Sequence, residues 1–318
     1  MSTDEVVVVG AGVGGAASAR VLADAGVPVL LRDRGQRIGG RMAVRTVQGR
    51  PVDTGASYFT VSHPLFRAQV DSWEDDGLAR AWTDTFHVAT PEGIVGTTSG
   101  PLRYAAPLGL RSLVEALAVR LAVSNPDDVE SVAAGPTCDG VAQAAVVLAM
   151  PGPQALDLLD QELLAERAAS DRPWQPCLSL VTRWEERCWP DLDGVFVNDS
   201  PVLVWIADDG RRRGDGAAVL VAHSTPVLAA EYLDDPDRAA AAMLAETRAV
   251  LGIGAEPAQA FVQRWSLAKP AEAHTQPFHL GEHRVVLCGD GWHGPSRVEA
   301  AFLSGHLAGR ALVTLLRG

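Results

Sequence analysis

Gly10, Gly12 and Gly15, in the run Gly10-Ala11-Gly12-Val13-Gly14-Gly15, are spaced to bind an anion with backbone alone. Glycine at 10 permits a tight turn, and glycine at 12 lets the main chain approach a pyrophosphate. Glycine at 15 lets a helix lie against the preceding strand with its N-terminal N–H groups facing the phosphates. Asp33 follows about twenty residues later, where a carboxylate accepts hydrogen bonds from a ribose 2′-hydroxyl and disfavours a 2′-phosphate. Asp33 also admits a local reading, as a strand cap or an ion-pair partner of Arg32 or Arg34; its spacing from the glycine turn favours the ribose. A second glycine pair, Gly39-Gly40, precedes Arg41, whose forked cation suits a diphosphate.

These residues need a strand, a turn and a helix to position them. Val6–Val9 is an apolar run ahead of the turn, Ala19 and Gly26 continue a small helix face, and residues 27–31 read as a second apolar strand. Near the other end, Val285-Val286-Leu287-Cys288-Gly289-Asp290-Gly291 reads as a buried strand ending in a glycine–aspartate turn, with Arg297-Val298-Glu299-Ala300-Ala301 and Ser304-Gly305 beyond it. The two ends complete one lobe, so the intervening chain leaves and returns. The expected fold is α/β. Residues 1–61, 101–155 and 275–318 form a Rossmann-like dinucleotide domain, and 62–100 and 156–274 form an interleaved α+β substrate domain. Within these, a helix starts at Arg111, residues 146–149 form a buried strand, 177–182 and 218–223 alternate as strands, and 236–251 form an alanine-rich helix.

The chain has 318 residues, 47% hydrophobic and 21% charged, enough for two lobes. A net charge of −12 argues against nucleic acid but not against an anionic nucleotide, because local arginines set the field in a cleft. Cys138, Cys177, Cys188 and Cys288 have no paired short spacing, and no histidines stand at ligand spacing, so reduced thiols and no metal are expected. The first residues lack a basic region and cleavage site, and Val6–Val9 is too short to span a bilayer; the expectation is a cytoplasmic protein with no membrane partner.

Taken together, the two glycine motifs resemble the flavin-dependent amine oxidase superfamily. Val52-Asp53-Thr54-Gly55-Ala56-Ser57-Tyr58-Phe59-Thr60 is similar to the segment that runs past the isoalloxazine there, and 285–305 resembles its second flavin fingerprint. Within the superfamily the chain most resembles the renalase family. The resemblance rests on Gly39-Gly40-Arg41-Met42, Gly55-Ala56-Ser57-Tyr58-Phe59-Thr60, Met150-Pro151-Gly152-Pro153-Gln154-Ala155, Val221-Ala222-His223-Ser224, Arg264-Trp265 and Cys288-Gly289-Asp290-Gly291. It implies FAD, held by Gly10, Gly12, Val13, Gly15, Asp33 and Arg34 in the first motif and by Gly40, Arg41 and Met42 in the second. Ala56, Ser57 and Tyr58 would line the ring, Val129 would present backbone to adenine, and Gly289, Asp290, Arg297, Val298 and Ala301 would close the site. The last helix would aim its N-terminus at the flavin's pyrimidine carbonyl. Cys288 borders the glycine–aspartate turn, yet a buried strand-end residue is the favoured reading over a tether, so the FAD is expected to be non-covalent. Residues 123–143 are short for the family's antiparallel meander, which is expected to be abbreviated.

A renalase-like reading implies hydride transfer from C2- or C6-reduced isomers of NAD(P)H to FAD, with reoxidation by oxygen giving hydrogen peroxide and NAD(P)+. The product is an aromatic pyridinium, so no general base is needed, only a flat slot and orientation. Tyr58, Phe59, Trp265 and Trp205 are candidates for the slot, each equally readable as core packing. His223 reads as a hydrogen-bonded core histidine or as a carboxamide contact. Many amine oxidases hold a water near flavin N5 with a lysine; the only lysine here is Lys269, expected on a loop, and residues 178–184 supply none. Arg211-Arg212-Arg213, among Asp208, Asp209, Gly210, Gly214 and Asp215, reads as a solvated loop tip in preference to a phosphate contact. An amine oxidase or desaturase and a non-catalytic FAD-binding redox sensor stand as alternatives. The expected partners are a dinucleotide substrate and oxygen, with the chain a monomer or weak dimer.

Overall fold

Four successive valines, Val6–Val9, form a strand buried on both faces, as a central parallel strand must be. It pairs in parallel with Val29–Arg32 on one side and Ala145–Leu148 on the other. The computed structural model describes residues 4–318. Ala122–Ser124, Val285–Leu287 and the antiparallel His279–Leu280 complete a six-stranded sheet, so the two ends and the middle of the chain meet in one layer. The helices Val13–Asp24 and Val298–Arg317 cross one another closely. A Cβ on Gly305 would lie 1.8 Å from the Gly14 carbonyl oxygen, and one on Gly309 2.8 Å from that of Ser18, so only glycine permits the approach.

The second sheet has eight strands, in the order Gln259–Pro270, Trp174–Arg183, Val219–Ser224, Leu203–Asp208, Gly194–Val197, Arg80–Thr90, Gly93–Ala105 and Phe59–Thr60. One face, carrying Leu178, Leu180, Ile206 and Ala222, packs with Met243 and Val250 of the helix Ala240–Leu251. The other face, carrying Val181, Val219 and Val221, packs on Val47 and Val52 of the hairpin formed by Val44–Val47 and Arg50–Asp53. Gly93–Ala105 stays in the second sheet to its last residue, whereas Ala155, Leu159 and Leu163 join the core beneath Val285 and Leu287 of the first. Between them the stretch after Val123 retains a minimal meander of two-residue strands, Val132–Ala133, Thr137–Cys138 and Val141–Ala142. Among the described residues no helix is long and apolar enough to cross a membrane.

Candidate active site between the two sheets

The three spaced glycines do different work. Gly10 has φ +101°, and a Cβ there would stand 2.5 Å from the Ala149 carbonyl oxygen; a Cβ on Gly15 would stand 1.9 Å from that of Gly10. At Gly12 a Cβ would meet no atom within 4 Å. Two of the glycines are thus required by the fold, while the third leaves space free in front of the N-terminus of Val13–Asp24. Gly40 packs against this turn, its own Cβ position 3.3 Å from Gly12 Cα. Asp33 ends the second strand and braces the turn, accepting hydrogen bonds from Ala11 N at 2.6 Å and Gly35 N at 2.7 Å. Arg32 turns away to Asp127 and Asp139, and Arg34 is exposed. Val129 lies in no strand; it is buried, and among the described residues its backbone makes no hydrogen bond.

Residues from four separate segments converge beside the turn. Val13, Met42, Val298 and Ala301 share one apolar cluster, with Ala56 packed against it. Arg41 forks onto both carboxylate oxygens of Asp290 at 2.7 and 2.5 Å, donates to the Ala268 carbonyl at 3.0 Å and lies over the Trp174 ring at 5.0 Å. Gly289, at φ +133°, donates its N–H to Ser304 Oγ at 2.9 Å. Arg297 is the extended residue ahead of the last helix, and Glu299 in its first turn accepts from Ser62 N and His63 N, both at 2.7 Å. Burial opposes the Glu299 charge, but these hydrogen bonds outweigh it and hold the carboxyl below its usual range.

The segment 54–59 lies across the second sheet. Trp205 donates its indole N–H to Ser57 Oγ at 3.1 Å, and Trp265 donates to the Thr54 carbonyl at 2.8 Å. Trp205 reaches this position by lying over Gly194, where a Cβ would be 2.3 Å from the indole ring. Tyr58 sits half-buried among Trp82, Phe86 and Trp205, with ring centroids 5.3–6.2 Å apart. Phe59 corrects the sequence expectation. Neighbouring residues of a strand point to opposite faces, so with Tyr58 toward the second sheet Phe59 enters the helical core, packed on Phe66, Trp73 and Tyr104 and 2% exposed. It lines no slot. His223 stands across from both Ser179 and Trp205. Burial and the nearby Arg212 charge lower its pKa to about 4, leaving it neutral. Lys269 is on a strand rather than a loop: it is exposed near the end of Gln259–Pro270, between half-buried Ala268 and buried Pro270.

Arg211-Arg212-Arg213 is not a solvated tip. Asp209–Arg213 forms a short helix capped by the Asp208 side chain, and Arg212 and Arg213 are 1% and 4% exposed. Asp209 receives Arg50, Arg212 and Arg213, and Arg213 also reaches Asp53 Oδ2 at 2.9 Å. Arg212 donates to the Ser57 carbonyl at 2.9 Å, so the network fixes the strap that carries Tyr58. Burial disfavours the Asp209 charge, but the guanidiniums of Arg212, Arg213 and Arg50 prevail and draw its carboxyl down to about 2. Asp208 and Gly214, read as signs of solvent, cap this short helix.

Residues 8–73 match the sequence profile of the NAD(P)-binding Rossmann-like domain, and residues 106–313, well over half of the chain, match that of the flavin containing amine oxidoreductases. The chain belongs to the flavin-containing amine oxidoreductase family. It is similar to a hydroxyneurosporene desaturase from Rubrivivax gelatinosus, 46% identical over 61 residues; these are 19% of this chain and 12% of the relative, so the likeness spans a small part of that protein. Among solved structures, cyclohexylamine oxidase from Brevibacterium oxydans IH-35A is 14% identical with a TM-score of 0.77, and all of both chains is covered. Wild-type putrescine oxidase bound to putrescine is 14% identical with a TM-score of 0.76, covering 98% of this chain and 99% of the other. At these identities the likeness is one of fold.

Family membership and the dinucleotide domain make the protein an FAD-dependent oxidoreductase. The residues present fit that cofactor. Space free of side chains stands over Gly12 at a helix N-terminus, the Val129 backbone is unengaged, and the cluster of Val13, Met42, Ala56, Val298 and Ala301 joins the motifs at its two ends.

Proposed function

We propose that this flavoenzyme oxidises the C2- or C6-reduced isomers of NAD(P)H, as a renalase-like oxidase. FAD would supply the hydride acceptor and pass the electrons to oxygen, yielding hydrogen peroxide and NAD(P)+. The observation that carries the reading is the make-up of the sheet face beside residues 54–58: Phe196, Trp205, His223, Ser179 and Gln263 form one cross-strand row with no charged base, and the chain's only lysine is exposed at the rim. Tyr58, Trp205 and Trp265 would hold a planar ring, and neutral His223 would meet its carboxamide. Asp33 would accept from the adenosine ribose of FAD, and Val129 would face adenine. Cys288 is buried and its thiol is pushed up to about 12 by desolvation, so it offers no thiolate for a tether. The cofactor is then non-covalent, and acid precipitation should release it into the supernatant.

Anaerobic mixing of the yellow protein with a substrate panel tests the reading. The C2- or C6-reduced isomers should bleach the flavin band about a hundredfold faster than C4-reduced NADH, because a misplacement of about 1 Å between reacting atoms can cost that much in rate. Equal bleaching by NADH overturns it. Bleaching by amines at the rate of the isomers would instead favour an amine oxidase, the activity named for the putrescine and cyclohexylamine oxidases that share this fold. Arg41→Ala is expected to weaken FAD retention by roughly one to two decades, because it removes a charge-assisted contact of about 1.5–3 kcal/mol and leaves Asp290 uncompensated near the diphosphate. Equilibrium dialysis of the flavin reads this directly, and an unchanged affinity would remove Arg41 from the site.

A further inference from the structure

Across the second sheet, His223 and Ser179 are directly paired on adjacent antiparallel strands, so their side chains emerge side by side on one face. That face looks toward the 54–58 strap, because Trp205, paired with His223 on its other side, donates to Ser57 Oγ, and Trp265, opposite Cys177, donates to the Thr54 carbonyl. The two indoles are satisfied. Ser179 Oγ and His223 Nε2 are not: both atoms are buried without a partner at hydrogen-bond geometry, the Cys177 thiol being the polar group beside Ser179, and Ser179 is 0% exposed. A buried polar atom left unpaired costs about 1–3 kcal/mol, so two adjacent ones are unusual unless a ligand pairs them.

Resting on the pyridine-nucleotide reading above, we propose that Ser179 and His223 together form the carboxamide subsite and make the enzyme selective for an amide over an acid on the pyridine ring. A hydroxyl donates one hydrogen bond, and an uncharged imidazole protonated at Nδ1 accepts one at Nε2. A primary carboxamide presents the complement, a carbonyl acceptor and an N–H donor whose hydrogen bonds diverge, suited to two cross-strand neighbours with Cβ atoms about 5 Å apart. A carboxylate has no N–H to give, so it would face the Nε2 lone pair or force the imidazole into its other tautomer. The flanking indoles of Trp205 and Trp265 supply the walls that place the ring between them. Ser179 is therefore a specificity residue acting on the substrate's substituent, at a distance from the hydride.

The test uses FAD-loaded protein, with NAD+ and nicotinic acid adenine dinucleotide as probes, titrated while the flavin spectrum is followed. The wild type should bind NAD+ at least about tenfold more tightly than the acid. Ser179→Ala should weaken NAD+ about fivefold to tenfold and leave the acid within about twofold, while Ser179→Thr, which keeps the hydroxyl, should retain most of the preference. His223→Phe should likewise erase the amide preference. A melting curve separates this from a structural role: Ser179→Ala removes an unpaired buried hydroxyl, so its melting temperature should equal or exceed the wild type's. Wild-type binding of NAD+ that Ser179→Ala and His223→Phe leave unchanged overturns the subsite alone. A wild type that binds neither probe overturns the subsite together with the pyridine-nucleotide reading, and a lowered melting temperature with unaltered amide preference assigns Ser179 to the fold.

Discussion

Asp209→Ala is expected to lose about 3–5 kcal/mol of folding stability, because it removes one partner of a buried ion-pair network and leaves the others charged. Asp209 is fully buried and is the common acceptor for Arg50, Arg212 and Arg213. With it gone, Arg212 and Arg213 would face only Asp53, itself also bonded to Leu110 N at 2.8 Å. Asp209→Asn keeps the shape but not the charge and should show most of the same loss. The strap at 54–58 hangs on this network through the Arg212 bond to Ser57, so FAD affinity should fall together with stability. Asp71→Asn serves as the control, since its pair with Arg67 one helical turn away is largely exposed and should be worth less than about 1 kcal/mol. Urea unfolding of the three variants reads the difference. An Asp209→Ala protein within about 1 kcal/mol of wild type would show that the buried charges are individually dispensable.

The same network shows where sequence reading stops. Gly10 and Gly15 were legible because a tight turn and a close helix each exclude side chains, and one residue type meets those demands. That the two ends of the chain share one layer was legible from their fingerprints, which complete a single dinucleotide lobe only together. Arg212 and Arg213 were misread because composition reports local turn chemistry, whereas Arg213 finds its partner Asp53 at a separation of 160 residues. Phe59 was misread because a two-residue strand carries too little alternation to tell which of Tyr58 and Phe59 points inward to the helices. Ser179 gave no signal as one more small residue in an apolar strand, and only the register that sets it beside His223 distinguishes it. Lys269 was placed on a loop because Pro270 follows it, but Pro270 ends an edge strand, where a missing N–H is tolerated.

Gly12→Val should abolish FAD binding while leaving the apoprotein folded. The backbone at Gly12 has φ −77° and ψ −177°, an extended conformation that valine adopts without strain. The new Cβ would meet no protein atom within 4 Å, so no steric clash opposes it there, and the expected cost is that of replacing glycine at a helix N-cap. The same volume is where a pyrophosphate must approach the backbone N–H groups. Displacing it forfeits two or more charge-assisted hydrogen bonds of about 1.5–3 kcal/mol each, or roughly two to four decades of affinity. Gly15→Ala is the informative contrast, because its Cβ would lie 1.9 Å from the Gly10 carbonyl oxygen and must push the helix off the strand. The first variant should therefore purify colourless and melt with wild-type apoprotein, differing from holoprotein only by the stabilisation that bound FAD contributes. The second should melt below both. Stoichiometric FAD in purified Gly12→Val would show that the space over Gly12 is not the pyrophosphate site, and the dinucleotide would then have to approach the first sheet by another edge.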